Sequence, residues 1–223
     1  MHSKGSTEPP GAMNRRHFLR ISGVGMAGAA LLGVMGSGKA SAQAPPNSSL
    51  VEEFKEAAKE YKVPMSLLLA MSYVNSRWEM PPPEASAYEP GNPHGRGAYG
   101  IMQLVQNDSA DTLGEASRLT GIPEEQLKTN RRSNILGGAA LLAESQGEKP
   151  ATLGDYFGAV AGNGGSGKPY EAVSGVGAGE LYAERVFETL EQGAQADTLD
   201  GEQVSLWAQS LTAWVTDLLD EVL

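Results

Sequence analysis

Residues 63–78, VPMSLLLAMSYVNSRW, constrain the fold more than any other stretch of the chain. Leu67, Leu68, Leu69, Ala70, Met71, Tyr73, Val74 and Trp78 leave almost no polar face, and Pro64 suits a first helical turn, so the segment predicts a helix that is apolar nearly all round. Such a helix must be enclosed by other elements. With no cysteine in the chain, that enclosure rests on packing alone, and thiol chemistry and cysteine–zinc sites are excluded.

The flanking segments supply the enclosure. Leu50, Val51, Phe54, Ala57, Ala58 and Tyr61 recur at helical spacing, with Ser48 or Ser49 as the expected N-cap. PPPEASAYEPGNPHGRG, residues 81–97, is too rich in proline and glycine for regular structure and predicts a functional loop. A short apolar AYGIMQLV follows, then a helix over DSADTLGEASRLTG stopped by Gly121 and a short helix opened by Pro123. RRSNILGGAALLAES predicts an apolar helix whose Gly137, Gly138, Ala139 and Ala140 permit close approach of a neighbour. TLGDYFGAVAG reads as another helix, ended by GNGGSG, and AGELYAERVFETLEQGA closes the domain with Leu181, Tyr182, Val186, Phe187 and Leu190 on one stripe. No segment sustains period-two alternation. The expectation is an all-α domain over residues 48–193, a polar linker at 194–203, and an amphipathic C-terminal helix at 204–223. That last helix, carrying Val204, Trp207, Leu211, Trp214, Leu218 and Val222, either packs on the domain or offers an apolar face to a partner chain.

The N-terminus reads differently. Arg15 and Arg16 in RRHFLR precede an apolar stretch from Ile21 to Met35, and Ala40, Ala42 and Ala44 suit a signal peptidase. Residues 1–44 therefore predict a lead and a twin-arginine-type export signal, and an exported protein. The apolar stretch contains four glycines and falls short of the ~20 residues a spanning helix needs, so no stable membrane anchor is expected. Cleavage after residue 44 removes five of the 17 basic and one of the 27 acidic side chains, leaving 12 against 26 and a net charge of −14. Such a surface repels nucleic acid and anionic lipid. The remaining chain keeps one histidine, His94, too few for a zinc hydrolase; no metal and no cofactor are expected.

Four stretches then stand in order: AMSYVNSRW with Asn75 and Ser76, YGIMQL from Tyr99 through Gly100, Met102 and Gln103, NILGGAALL from Asn134, and AVAGNGGSG with Asn163. Together they resemble the soluble lytic transglycosylase domain, a relative of goose-type lysozyme, over roughly Leu50 to Gly193. The resemblance implies a lysozyme-like helical fold and peptidoglycan glycan strands as partner. In that family the first motif places a catalytic Glu before the Ser; here Asn75 stands in its place. The second and third motifs are kept, and in the fourth Gly162 stands where the family has a tyrosine. The chain is also similar to the transglycosylase-like N-terminal module of exported actinobacterial amidases that cleave the muramoyl–peptide bond. It ends at Leu223 before any zinc domain, which implies a lost amidase half or a fragment.

Cleaving a glycosidic bond needs an acid whose proton is held near neutral pH and then released. An amide donates a hydrogen bond but releases no proton, so the leading expectation is a glycan-binding, catalytically degenerate domain. Two alternatives stay open. One is an active lytic transglycosylase using Glu79, or Glu84 or Glu89 of the loop; the other is an interaction module that binds another cell-wall hydrolase or envelope protein. The expected substrate-binding residues are Ser76, Tyr99, Gly100, Met102, Gln103 and Asn163. Several positions have a plainer reading as well: Asn75 as a helix C-cap, Trp78, Ile101, Met102 and Leu104 as core, Gln103 as a satisfied polar group near a turn, Asn163 as a turn former, Glu79 and His94 as exposed loop residues.

Overall fold

A computed structural model describes residues 49–91, 96–146, 150–162 and 178–213. Helix α1, Ser49–Tyr61, buries Leu50, Phe54, Ala57 and Ala58 along one stripe. Of its two expected caps, Ser48 lies outside the described residues. Ser49 Oγ donates to Glu202 Oε1 (2.6 Å), and Glu202 Oε2 accepts the Leu50 N–H (3.2 Å), so a carboxylate from far along the chain caps the helix where its dipole is positive.

Helix α2, Met65–Ser76, follows Pro64 and is buried on every side from Ser66 to Ser72. Arg77 ends it in the left-handed conformation (φ 59°), its N–H bonded to Tyr73 O, and Trp78 repeats that conformation (φ 66°). Two successive left-handed residues fold the chain back and carry the Trp78 indole into the core, where Nε1 donates to Leu69 O (2.9 Å).

Beyond the loop, which has a 3-10 turn at Pro83–Ser86, strand β1 (Ala98–Tyr99) pairs antiparallel with β2 (Leu104–Val105). Helix α3, Thr112–Thr120, is capped by the Asp111 carboxylate and stopped by Gly121 (φ 71°); α4, Glu124–Thr129, starts behind Pro123. Helix α5, Arg131–Gln146, is the second enclosed helix, packed against α1, α3 and α4. The close approach expected at its glycines is real: a Cβ on Gly138 would lie 2.7 Å from Met102 Cε. The segment after it is a 3-10 turn, Leu153–Tyr156, running into the short α6, Phe157–Val160. Helix α7, Ala178–Gln192, packs on α2 and α6. Its inner stripe is Ala183, Val186, Phe187 and Leu190; Leu181, expected on it, is 61 % exposed, because two residues are about 200° of helix and put it on the far side from Ala183. The fold is all-α, with two small two-stranded sheets among the described residues.

The C-terminal region corrects the sequence reading. Where a linker and the start of a helix were expected, strands β3 (Ala194–Asp197) and β4 (Gln203–Leu206) form an antiparallel hairpin with Ala194 opposite Leu206. Gly193 (φ 73°) ends α7, Leu199 and Asp200 turn the hairpin with the N–H of Gly201 (φ 82°) closing the turn on Thr198 O, and Val204 and Leu206 enter the core while Gln195, Asp197 and Gln203 face out. Trp207, expected on the helical stripe, is 79 % exposed just past β4. Residues 214–223, the rest of the expected helix, lie outside the described residues, as do the export segment and His94.

Candidate functional site

The site is built on the tight turn joining β1 to β2. Gly100 (φ 73°) and Gln103 (φ 54°) both take left-handed backbone, and the Gln103 N–H closes the turn on Gly100 O (3.1 Å). Glycine is required at position 100, since a Cβ there would sit 2.3 Å from Asn134 Nδ2. Asn134 is wholly buried on α5 and holds the turn from beneath. Its Oδ1 accepts the Met102 N–H (2.7 Å), and its Nδ2 donates to Tyr99 O (3.0 Å) and Leu127 O (2.8 Å). One amide thus ties α5, α4 and the turn together.

The C-terminal end of α2 meets the turn from the other side. Asn75 Nδ2 donates to Met102 O (3.0 Å), and Ser76 Oγ lies 2.9 Å from Ile101 O and 3.1 Å from Ser72 O, so its single proton is shared between them. Gln103 turns its own amide back, Nε2 donating to Gly100 O (2.7 Å). The carbonyls of Gly100, Ile101 and Met102 each receive a side-chain hydrogen from Gln103, Ser76 or Asn75. The Met102 peptide is gripped at both ends, by Asn134 on the N–H and by Asn75 on the carbonyl.

Asn75 is half-buried, in the last turn of α2 and against the turn. It is not the helix cap, which is Arg77. A carboxyl group at this position would face a carbonyl acceptor and the negative end of a helix dipole, both of which favour its protonated form. The surroundings suit a held proton, and the residue present is an amide that carries none to give.

The structure brings Asn75, Ser76, Gly100, Met102 and Gln103 together and separates the rest. Met102 takes part through its backbone; its side chain is fully buried against Gly138, so the expected side-chain contact with a ligand is not available. Trp78 is enclosed in the core, and Tyr99 is 7 % exposed with Lys128 Nζ 4.8 Å from its ring centroid, leaving neither as an open stacking platform. Glu79 lies beyond the end of α2, out of helical register with Asn75, and its Oε1 accepts the Leu199 N–H (2.9 Å) from the hairpin. Glu84 and Glu89 are exposed on the loop. Asn163 lies outside the described residues.

Two functional placements escape sequence reasoning. Asn134 stands out in the sequence as part of a motif but not as the pin beneath the turn; the available signal is a lone amide in an otherwise apolar Gly/Ala helix, which must find partners when buried. Lys128, over Tyr99 and bonded to Gln106 Oε1 (2.7 Å), carries no signal at all. Among the described residues no group of three histidine, cysteine, aspartate or glutamate side chains could hold a metal ion, and no helix is long and apolar enough to cross a membrane.

Comparison with known proteins agrees with this arrangement. No curated protein matches the chain. The transglycosylase SLT domain matches residues 52–182, which hold most of α1, all of α2, the β1–β2 turn and the Asn134 pin. An enclosed helix delivering its last turn to a Gly-Ile-Met-Gln turn, within a match over more than half the sequence, places the chain in the transglycosylase SLT domain family.

Proposed function

We propose that this protein is an exported, cell-wall-facing domain that binds peptidoglycan glycan and has little or no lytic activity. Membership of the SLT family supports a peptidoglycan-related role. The observation that carries the degenerate reading is Asn75, whose amide is tied to Met102 O at the position where the family's acid would stand. General acid catalysis contributes roughly 10² to 10⁴ in rate, and in this reaction it would be the central step, so its loss leaves binding without cleavage. Export is supported by Arg15 and Arg16 ahead of the apolar Ile21–Met35 stretch.

The decisive experiment is digestion of purified sacculi. The parent protein is expected to bind them and release no anhydro-muropeptides, whereas Asn75→Glu is expected to release them. Release by the parent protein would defeat the degenerate reading.

A further inference from the structure

Asn75 is more than the place where an acid is missing. We infer that its carbonyl oxygen, Oδ1, accepts a hydrogen bond from a hydroxyl or acetamide N–H of the bound glycan, beside Gln103, which the family resemblance already sets against the glycan. The inference rests on the glycan-binding reading above.

The orientation of each amide follows from chemistry. A backbone carbonyl can only accept, so the Asn75 atom 3.0 Å from Met102 O must be nitrogen, and the same holds for the Gln103 atom 2.7 Å from Gly100 O. With the nitrogens anchored, Oδ1 and Oε1 occupy the opposite arms. Among the described residues neither oxygen receives a hydrogen bond from the protein, and neither is among the buried side-chain atoms left without a partner. Both are thus open to solvent, beside the turn that Asn134 holds rigid. Two fixed amide oxygens on a pinned frame are acceptors awaiting donors, and a sugar ring supplies donors at fixed spacing. Because the anchoring carbonyls prevent the amides from flipping to offer nitrogen instead, the site reads donors and penalises a ligand that lacks them.

This separates Asn75 from a relic. A relic would hold Met102 O in place and be indifferent to the ligand's hydrogens. An acceptor loses affinity when the matching donor is removed.

The test is a set of binding titrations with the tetramer of N-acetylglucosamine and analogues in which each hydroxyl in turn is replaced by fluorine, or an acetamide nitrogen is methylated. The parent protein is expected to lose about five- to tenfold in affinity for at least one analogue. Asn75→Ala is expected to weaken binding of the unmodified tetramer by a similar factor and to show no further loss with that analogue. Gln103→Ala, scored the same way, should pair with a different donor, and melting curves confirm that each variant is folded. Binding by the parent that is equally strong for every analogue would overturn the inference, whatever the variants do. So would an Asn75→Ala variant still sensitive to the same analogue. Failure of the folded parent to bind any tetramer or sacculi would instead defeat the glycan reading itself, and this inference with it.

Discussion

Replacing Asn134 tests whether the candidate site is held by one buried amide. In Asn134→Ala the Met102 N–H loses its acceptor, and the carbonyls of Tyr99 and Leu127 lose their donor. All three belong to backbone around a side chain with 0 % exposure. A buried polar group left unmet costs about 1–3 kcal/mol. Because the removed side chain leaves space in which carbonyls or water can adjust, the total is expected at about 3–5 kcal/mol instead of the full sum. That is a large part of the ~5–15 kcal/mol that a domain possesses. Asn134→Asp adds a signature that a packing defect lacks. The carboxylate keeps an acceptor for the Met102 N–H but sets a second oxygen against two carbonyls, so in the folded state the acid is pushed to hold its proton above its ordinary pKa of about 3.9. The folded form then binds a proton that the unfolded form releases. Stability therefore falls as pH rises above about 3.9, by up to about 1.4 kcal/mol per unit until the folded pKa is passed, and recovers on acidification. Urea unfolding at several pH values between about 4 and 7, followed by far-ultraviolet circular dichroism, measures both variants against the parent. A cost below about 1 kcal/mol for Asn134→Ala, or an Asn134→Asp penalty with no pH dependence relative to the parent, would refute the argument that this amide holds the turn.

Three further substitutions probe other parts of the molecule. Gly100→Ala combines left-handed backbone with a contact of 2.3 Å on the buried Asn134 side chain, and is expected to cost about 2–4 kcal/mol in thermal or urea unfolding. Burial opposes the charge on Glu202, but the Ser49 hydroxyl, the Arg131 guanidinium and the Leu50 N–H outweigh it and hold its pKa below 4.5. Its contribution is complete above pH 4.5 and lost as pH falls through the lower folded value, so Glu202→Gln should cost about 1–2 kcal/mol near neutrality and blunt this part of the acid sensitivity, read from melts at pH 7 and about pH 3. Glu79→Gln keeps an acceptor for the Leu199 N–H, so stability should stay within about 0.5 kcal/mol and any activity on sacculi should be unchanged; a lost activity would give Glu79 the acid role after all.

The helices were legible because their ends are written in single residues. Pro64 and Pro123 mark starts, Gly121 marks a stop, and the apolar runs of α2 and α5 admit no solvent face. The hairpin was not legible. Each strand has four residues, and the inward positions of β3 are alanines, so alternation offers little contrast with a polar linker. Its attachment is also non-local: Glu202 reaches Arg131 (3.2 Å) across 71 positions of sequence, and Arg131 at the same time holds Glu53 (2.8 Å), joining the hairpin, α5 and α1. Nothing in the spacing of three charged residues announces that they meet. At the site the plainer sequence reading of Met102 and Trp78 as core residues is the one the burial bears out, because long apolar side chains beside an enclosed helix leave little room for another outcome.

The position of Asn75 shows why an amide suits this fold even where an acid would suit catalysis. The Met102 carbonyl needs a donor, and Asn75 supplies one at every pH. A carboxyl group could supply it only while protonated; once ionised, it would face that carbonyl and the negative end of α2 as a like charge. An enzyme must carry this strain, because the proton held there is the one it delivers. On the proposed reading, a domain that only binds gains rigidity at the turn from an amide in place of an acid, and the gain falls on the peptide that Asn134 grips from the other side. Asn75→Glu is accordingly expected to be less stable than the parent at neutral pH and to recover as the pH falls, so any restored lysis should come with a lower melting temperature at pH 7. Restored lysis with undiminished stability would mean that the turn does not depend on the donor at position 75, and the exchange of acid for amide would then bring the fold no advantage.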